Sequence, residues 1–304
     1  MPAEPAWTTK RRAPSRRCWS PDVDVAASVD QMRRWRDGAR RSPLALVATM
    51  GALHDGHLFL VRRAREDSAL VAVSIFVNPL QFGPAEDLAG YPRDLDRDLE
   101  MLEPLGVDVV FTPASADFTP PHRRTTVHVA GLTDRLEGAS RPGHFDGVTT
   151  IVTKLCNVVR PDTAYFSRKD FQQLVVIRAM VGDLDLPVRI VECDFVRDPD
   201  GLVLSSRNAN LSPQQRQQAL ALSTALSAAV TSWDGDADAA RARLVEVLAN
   251  APGVELDYAE IADPETLEPL HGVRGGPALA LVAARVGSTR LIDNARLGPD
   301  RMDS

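Results

Sequence analysis

Between residues 44 and 193, five short apolar runs alternate with four stretches of helical periodicity, and this alternation leaves few folds open. The runs cover 44–49, 70–76, 107–111, 163–166 and 188–193; the helical stretches cover 58–66, 93–105, 148–158 and 172–184. Strands that alternate with helices build a parallel sheet, because each crossover uses a helix to carry the chain back to the same end. Such sheets bind ligands beyond the carboxyl ends of their strands. Three loops stand at such ends, at 49–57, 78–81 and 167–170. Their convergence on one edge is a stronger sign of a site than any one loop alone.

The pattern changes after about residue 195. Asp198-Pro-Asp-Gly201 is a turn signal between Val196 and Leu204 and predicts a hairpin. Ser212-Pro213-Gln-Gln215 has the marks of a helix start: a capping hydroxyl, proline at the first position and Gln at the third. Helices are expected over 213–230 and 237–250, then strands over 255–261, 279–286 and 289–292. The chain therefore divides into a basic arm at 1–22, an α/β domain at 23–195 and a smaller α+β domain at 196–304. The arm carries Lys10, Arg11, Arg12, Arg16 and Arg17 among prolines and lacks the apolar core of a signal peptide, so it is expected to be disordered. Formal net charge is −6, which argues against nucleic acid as the main partner. No apolar run approaches the roughly 20 residues of a bilayer span. Three widely spaced cysteines, Cys18, Cys156 and Cys193, fit a reducing cytoplasm better than a disulfide framework.

The stretch Thr49-Met-Gly-Ala-Leu-His-Asp-Gly-His57 carries the chemistry. An apolar run enters it and an amphipathic segment leaves it. Strand, glycine turn and helix start together turn free N–H groups and the positive helix end toward an anion. His54 and His57 are three residues apart, so both rings project from one side of that start. Two unrelated surface histidines or a zinc pair have the same spacing, but zinc takes three or four clustered ligands, and no cysteine or further histidine lies nearby. Lysine is scarce: Lys10, Lys154 and Lys169 stand among 35 basic residues. In so arginine-rich a chain, Lys169 marks a place where a compact ammonium is wanted.

These motifs, with Phe76-Val-Asn-Pro-Leu-Gln-Phe-Gly83, Tyr91-Pro-Arg93, Arg141-Pro-Gly-His-Phe-Asp-Gly147, Lys169-Asp-Phe-Gln-Gln173 and Ser205-Ser-Arg-Asn208, resemble the pantoate–β-alanine ligase family. The family lies within the nucleotidyltransferases that share the His-x-Gly-His element. The resemblance runs from about residue 24 to 294 and implies a Rossmann-like doubly wound parallel sheet whose site is closed by the C-terminal domain. It implies an enzyme that adenylates pantoate with ATP and Mg²⁺, releases pyrophosphate, and transfers the pantoyl group to β-alanine with loss of AMP. It also implies a homodimer.

Residue roles follow from the same resemblance. His54, His57, Lys169, Ser205 and Arg207 match the catalytic and phosphate-binding set. Met50, Gly56, Asp170, Val196 and Ser206 match further ATP contacts. Gln81 and Gln173 match the pantoate-binding amides, with Asn78, Tyr91, Arg141 and His144 as additional residues on the pantoate and β-alanine side. Asp98 is the carboxylate placed best for the magnesium, although its run, Asp94-Leu-Asp-Arg-Asp98, also reads as a solvated helix face. Two positions depart from the pattern. Ser167-Arg168 stands where the family has Gly-Glu or Gly-Gln, which sets a second cation beside Lys169. Phe59 replaces a small residue in the first turn of the helix. A chain that lost turnover through Ser167-Arg168 becomes an ATP-binding regulatory protein, the competing expectation.

Overall fold

Six strands, β1 (Asp24–Ala26), β2 (Leu44–Thr49), β3 (Leu70–Ile75), β4 (Val109–Phe111), β5 (Thr163–Ser167) and β6 (Arg189–Cys193), form one parallel sheet in the order β1-β4-β3-β2-β5-β6. They belong to a computed structural model that describes residues 23–83, 88–273 and 275–298; the basic arm lies outside the described residues. The chain winds outward from β2 through β3 to β4, then returns to add β5 and β6 on the other side. The order therefore reverses between β2 and β5, whose carboxyl ends, Thr49 and Ser167, flank the crevice where such sheets bind ligands.

Both faces of the sheet are covered, which explains the unbroken apolar runs. Leu44 and Leu46 of β2 join a cluster with Met32 of α1 (Val29–Gly38) and with residues of the two long helices between β4 and β6, whereas Ala45 and Val47 face Leu58, Val61 and Ala64 of α2 (Asp55–Asp67). The second cluster also takes Leu102, at the end of α3 (Leu95–Leu102). The helix expected over 93–105 ends early because Pro104, lacking an N–H, turns its last residues into the 3-10 turn Glu103–Leu105. Two short helices follow, α4 (Ser115–Phe118) and α5 (Glu137–Ser140), then α6 (His144–Val159) and α7 (Phe171–Asp183), the long helices of the first face.

β1 and α1 have no counterpart among the expected elements. The strand is three residues long, and α1 buries Met32 and, unusually, Arg36. The Arg36 guanidinium donates to Asp162 (3.0 Å) and to the carbonyls of Ala39, Ser42 and Arg160, so a satisfied cation occupies a core position.

The C-terminal part holds α8 (Pro213–Ser232), α9 (Ala237–Ala249) and an antiparallel sheet of β7 (Val254–Ala262), β8 (Ala278–Val286) and β9 (Thr289–Leu297). Leu222, Leu226, Leu244 and Leu248 of the helices pack on one face of that sheet, with Ala280, Val282 and Ala284. From the other face Leu279 and Leu281 meet Phe171 and Val175 at the start of α7, which couples the two sheets. The hairpin after Val196 is present as the antiparallel bridge between Arg197 and Val203. Strand β9 continues to Leu297, five residues past the expected end at 292. No described helix is long and apolar enough to cross a membrane.

Candidate active site

The carboxyl end of β2 turns into α2 through Gly51, whose φ of +82° suits glycine. A Cβ at that position would stand 2.9 Å from Asp98 Oδ2. His54 caps α2, a task usually given to Ser, Thr, Asp or Asn. Its Nδ1 accepts the N–H of Gly56 (3.2 Å), and Nδ1 of His57 accepts the N–H of His54 in return (3.3 Å). This is the reciprocal capping box with imidazoles in place of hydroxyl and carboxylate. An Nδ1 that accepts is unprotonated, so each neutral ring carries its proton on Nε2. The centroids lie 4.1 Å apart and both rings line the cleft.

The same surroundings keep the rings neutral. Burial lowers the His54 pKa, with the Lys169 ammonium as the second cause. Burial brings His57 down to about 3, helped by His54 and Lys169. Two neutral N–H donors beside a helix start form an anion site with no bound anion required to hold it together.

Lys169 and Arg207 reach this cleft from two serine-capped 3-10 turns. Ser167 Oγ accepts the N–H of Lys169 (3.1 Å), and Ser205 Oγ accepts the N–H of Arg207 (3.3 Å). Lys169 Nζ also pairs with Asp170 Oδ1 at 3.1 Å. Burial works against the Asp170 carboxylate, but Lys169 and Arg207 outweigh it and hold its pKa below the usual range. The Tyr91 hydroxyl, bonded to Ser206, lies over the same edge, and burial raises its pKa.

Across the cleft, α6 approaches the 78–81 loop so closely that a Cβ on Gly147 would meet the Leu80 carbonyl at 2.3 Å. Asn78 exploits that approach. Its Nδ2 donates to Gln81 Oε1 (2.8 Å) and to the Gly147 carbonyl (3.1 Å), while its Oδ1 accepts the N–H of Leu80. Asn78 is therefore nearly saturated within the protein and steadies Gln81, which lines the cleft. Gln173 lines it too, from the first turn of α7. Arg141 and His144 both touch the Gln81 carbonyl (3.3 and 3.0 Å) and each other (3.2 Å).

All the residues expected at the site line this one cleft except Asp98. Asp98, expected at the magnesium, is instead engaged by backbone. Its Oδ1 and Oδ2 accept the N–H groups of Leu53 (2.8 Å) and Ala52 (3.0 Å), the residue is buried, and burial raises its pKa. It staples the turn that leads to His54. Among the described residues no group of three or more His, Cys, Asp or Glu side chains is arranged to hold a metal ion.

Arg168 likewise departs from expectation. Its guanidinium pairs with Glu192, 3.5 Å away, and with Asp194, and the residue does not line the cleft. Ser167 has φ −84°, so the absence of glycine there carries no strain. Phe59 packs, partly buried, against the α2 side of the sheet. The motive for reading the chain as an inactive binding protein is thereby removed.

Two groups of cleft residues have no counterpart in the sequence reading. Glu137 is buried and takes a bidentate pair from Arg290 (2.7 and 2.7 Å) and the Tyr258 hydroxyl (2.9 Å), which ties α5 to the C-terminal sheet. Asp293 and Asn294 of β9 are the second group. Their only sequence signal is a polar pair set between Ile292 and Ala295.

A doubly wound parallel sheet with paired neutral histidines at its switch point defines an α/β protein built to take an anionic ligand at one sheet edge. The pantoate–β-alanine ligase family profile matches residues 24–296. The pantothenate synthetase of Geobacter sulfurreducens is 51% identical over 282 residues, 91% of this chain and 99% of that one. That of Mycolicibacterium smegmatis is 52% identical over 288 residues, 94% of this chain and 89% of its own length. The crystal structure of pantothenate synthetase from Thermus thermophilus superposes with a TM-score of 0.85 at 45% identity, covering 91% of this chain and 100% of the other. The Francisella tularensis pantoate–β-alanine ligase, solved with β,γ-ATP and β-alanine, superposes with a TM-score of 0.74 at 31% identity, covering 90% and 97%. The chain belongs to the pantoate–β-alanine ligase family.

Proposed function

We propose that this chain joins pantoate to β-alanine at the expense of ATP, through a pantoyl adenylate. The single observation that carries this reading is the meeting of the His54–His57 helix start, the Lys169 and Arg207 turns and the Gln81 and Gln173 amides in one cleft. A carboxylate is a poor acyl donor because oxide would have to leave. Attack of a pantoate carboxylate oxygen on the α-phosphorus forms a C–O–P link as the bond to pyrophosphate breaks, and AMP becomes the later leaving group. The neutral Nε2–H groups of His54 and His57, with Lys169 and Arg207, stabilise charge that develops on the phosphoryl oxygens. Ser205 and Ser206 hold the triphosphate beside Arg207. Met50, Gly56, Asp170 and Val196 line the nucleotide side.

Gln81 and Gln173 donate to and accept from the hydroxyls and carboxylate of pantoate, and so hold it in line with the α-phosphorus. Arg141 and His144 stand where the β-alanine carboxylate binds. The amine of β-alanine attacks the acyl carbon, loses a proton, and AMP departs. No protein carboxylate is assigned to Mg²⁺, which keeps several waters and prefers phosphate oxygens. It enters as part of the MgATP substrate. We propose further that the protein acts as a cytoplasmic homodimer, which sedimentation velocity tests for the assembly.

The test is AMP and pantothenate formation from MgATP, pantoate and β-alanine, beside Lys169→Ala. Both products are expected with all substrates present and neither in the variant. ATP binding without AMP release would sink the ligase.

A further inference from the structure

We infer that Asp293 and Asn294, adjacent on β9, are positioning residues that hold the two phosphate-binding turns from the C-terminal sheet. The inference rests on the roles proposed above for Lys169 and Arg207. Asn294 Nδ2 donates to the carbonyls of both Arg168 and Lys169, each at 2.9 Å. Two carbonyl acceptors require the NH₂ group there, so the amide orientation is fixed by chemistry. Asp293 takes Arg197 in a bidentate pair (2.6 and 2.8 Å), and its Oδ1 accepts the N–H of Asn294 (2.8 Å). Both β9 side chains are buried.

Each grip acts on a short connecting segment. The Lys169 turn is three residues long and, on its own side, has the Ser167 cap. Arg197 opens the hairpin that Leu204 closes onto Val196 (3.0 Å), and Ser205 to Arg207 follow directly. Arg197 also donates to the Gly201 carbonyl (3.1 Å), so the hairpin tip and β9 share one guanidinium. The pair Asp293–Asn294 thus sets the separation of Lys169 and Arg207 without itself donating charge to a phosphate. A turn freed by loss of Asn294 lets the Lys169 ammonium wander, and a wandering cation loses affinity for a fixed anion.

The test is a double-mutant cycle read by calorimetric binding of a non-hydrolysable ATP analogue with Mg²⁺. Its members are the wild type, Asn294→Ala, Lys169→Ala and the double variant, each checked for folding by near-UV circular dichroism. Asn294→Ala is expected to weaken binding about tenfold in the wild-type background and less than about twofold in the Lys169→Ala background. Asn294→Asp keeps the shape, loses the donor and is expected to match Asn294→Ala, which covers the case that alanine does not fold. Steady-state assays should show the loss in KM for ATP and in kcat, with KM for pantoate held within about twofold. Unchanged affinity in Asn294→Ala and Asn294→Asp, or an equal loss in both Lys169 backgrounds, overturns the inference. Unchanged affinity in Lys169→Ala alone instead overturns the role of Lys169 on which it stands.

Discussion

The β2–α2 junction and the Lys169 turn meet in one cleft but are held there by opposite means. At the junction, His54 and His57 cap each other within four residues, and Asp98 staples the turn just before them. The Lys169 turn takes its outer hold from Asn294, 125 residues further along the chain. Where function is built from local capping, residue types and spacing announce it. Where it depends on a remote strand, the same residues look ordinary.

The largest effect is expected at Asp98. Asp98→Ala strands the buried N–H of Leu53 and the half-buried N–H of Ala52 and should destabilise the fold by roughly 2–4 kcal/mol, read from urea denaturation, with activity lost in parallel. If the carboxylate bound magnesium instead, stability would hold and added Mg²⁺ would restore turnover. A cut through His57 separates cap from chemistry. Gln at the third helical position completes a capping box, so His57→Gln should keep stability within about 1 kcal/mol while pyrophosphate release slows about 100-fold. Loss of both together, or of neither, would merge the two roles that the junction combines.

The histidines also set an acid limit. A folded pKa below the unfolded value means that the unfolded chain binds the proton first. The stability that His57 contributes is present above about pH 6.5 and is lost as pH falls toward its folded value of about 3. The ligand-free protein should weaken by up to about 1.4 kcal/mol per pH unit for this group, and His57→Gln should flatten the profile between pH 6.5 and 5. The smallest effect belongs to Arg168. Arg168→Gln restores a residue type usual for the family and removes ion pairs at the edge of the sheet, so kcat should stay within about twofold and stability within about 1 kcal/mol. A large rise in kcat would show that Arg168 perturbs Lys169 after all.

Much of the first sheet is legible because a strand covered on both faces has no alternative to an apolar run. Strand β2 was expected and found at 44–49. Two of the departures arise where burial uses polar groups. α1 fills its core position with Arg36, whose partners Arg160 and Asp162 lie 124 and 126 residues away. β9 runs past its expected end at 292, through Asp293 and Asn294. It continues because Arg197 and the 168 and 169 carbonyls satisfy that pair. Asp98, singled out by position for the magnesium, shows the same lesson reversed: its oxygens accept backbone N–H groups 45 and 46 residues upstream.

Pantoate-dependent exchange of labelled pyrophosphate into ATP, measured without β-alanine, addresses the adenylation step directly. Exchange that requires pantoate, proceeds without β-alanine and fails in Lys169→Ala is the expected result. Exchange that needs β-alanine, or that runs without pantoate, would contradict a pantoyl adenylate formed in this cleft.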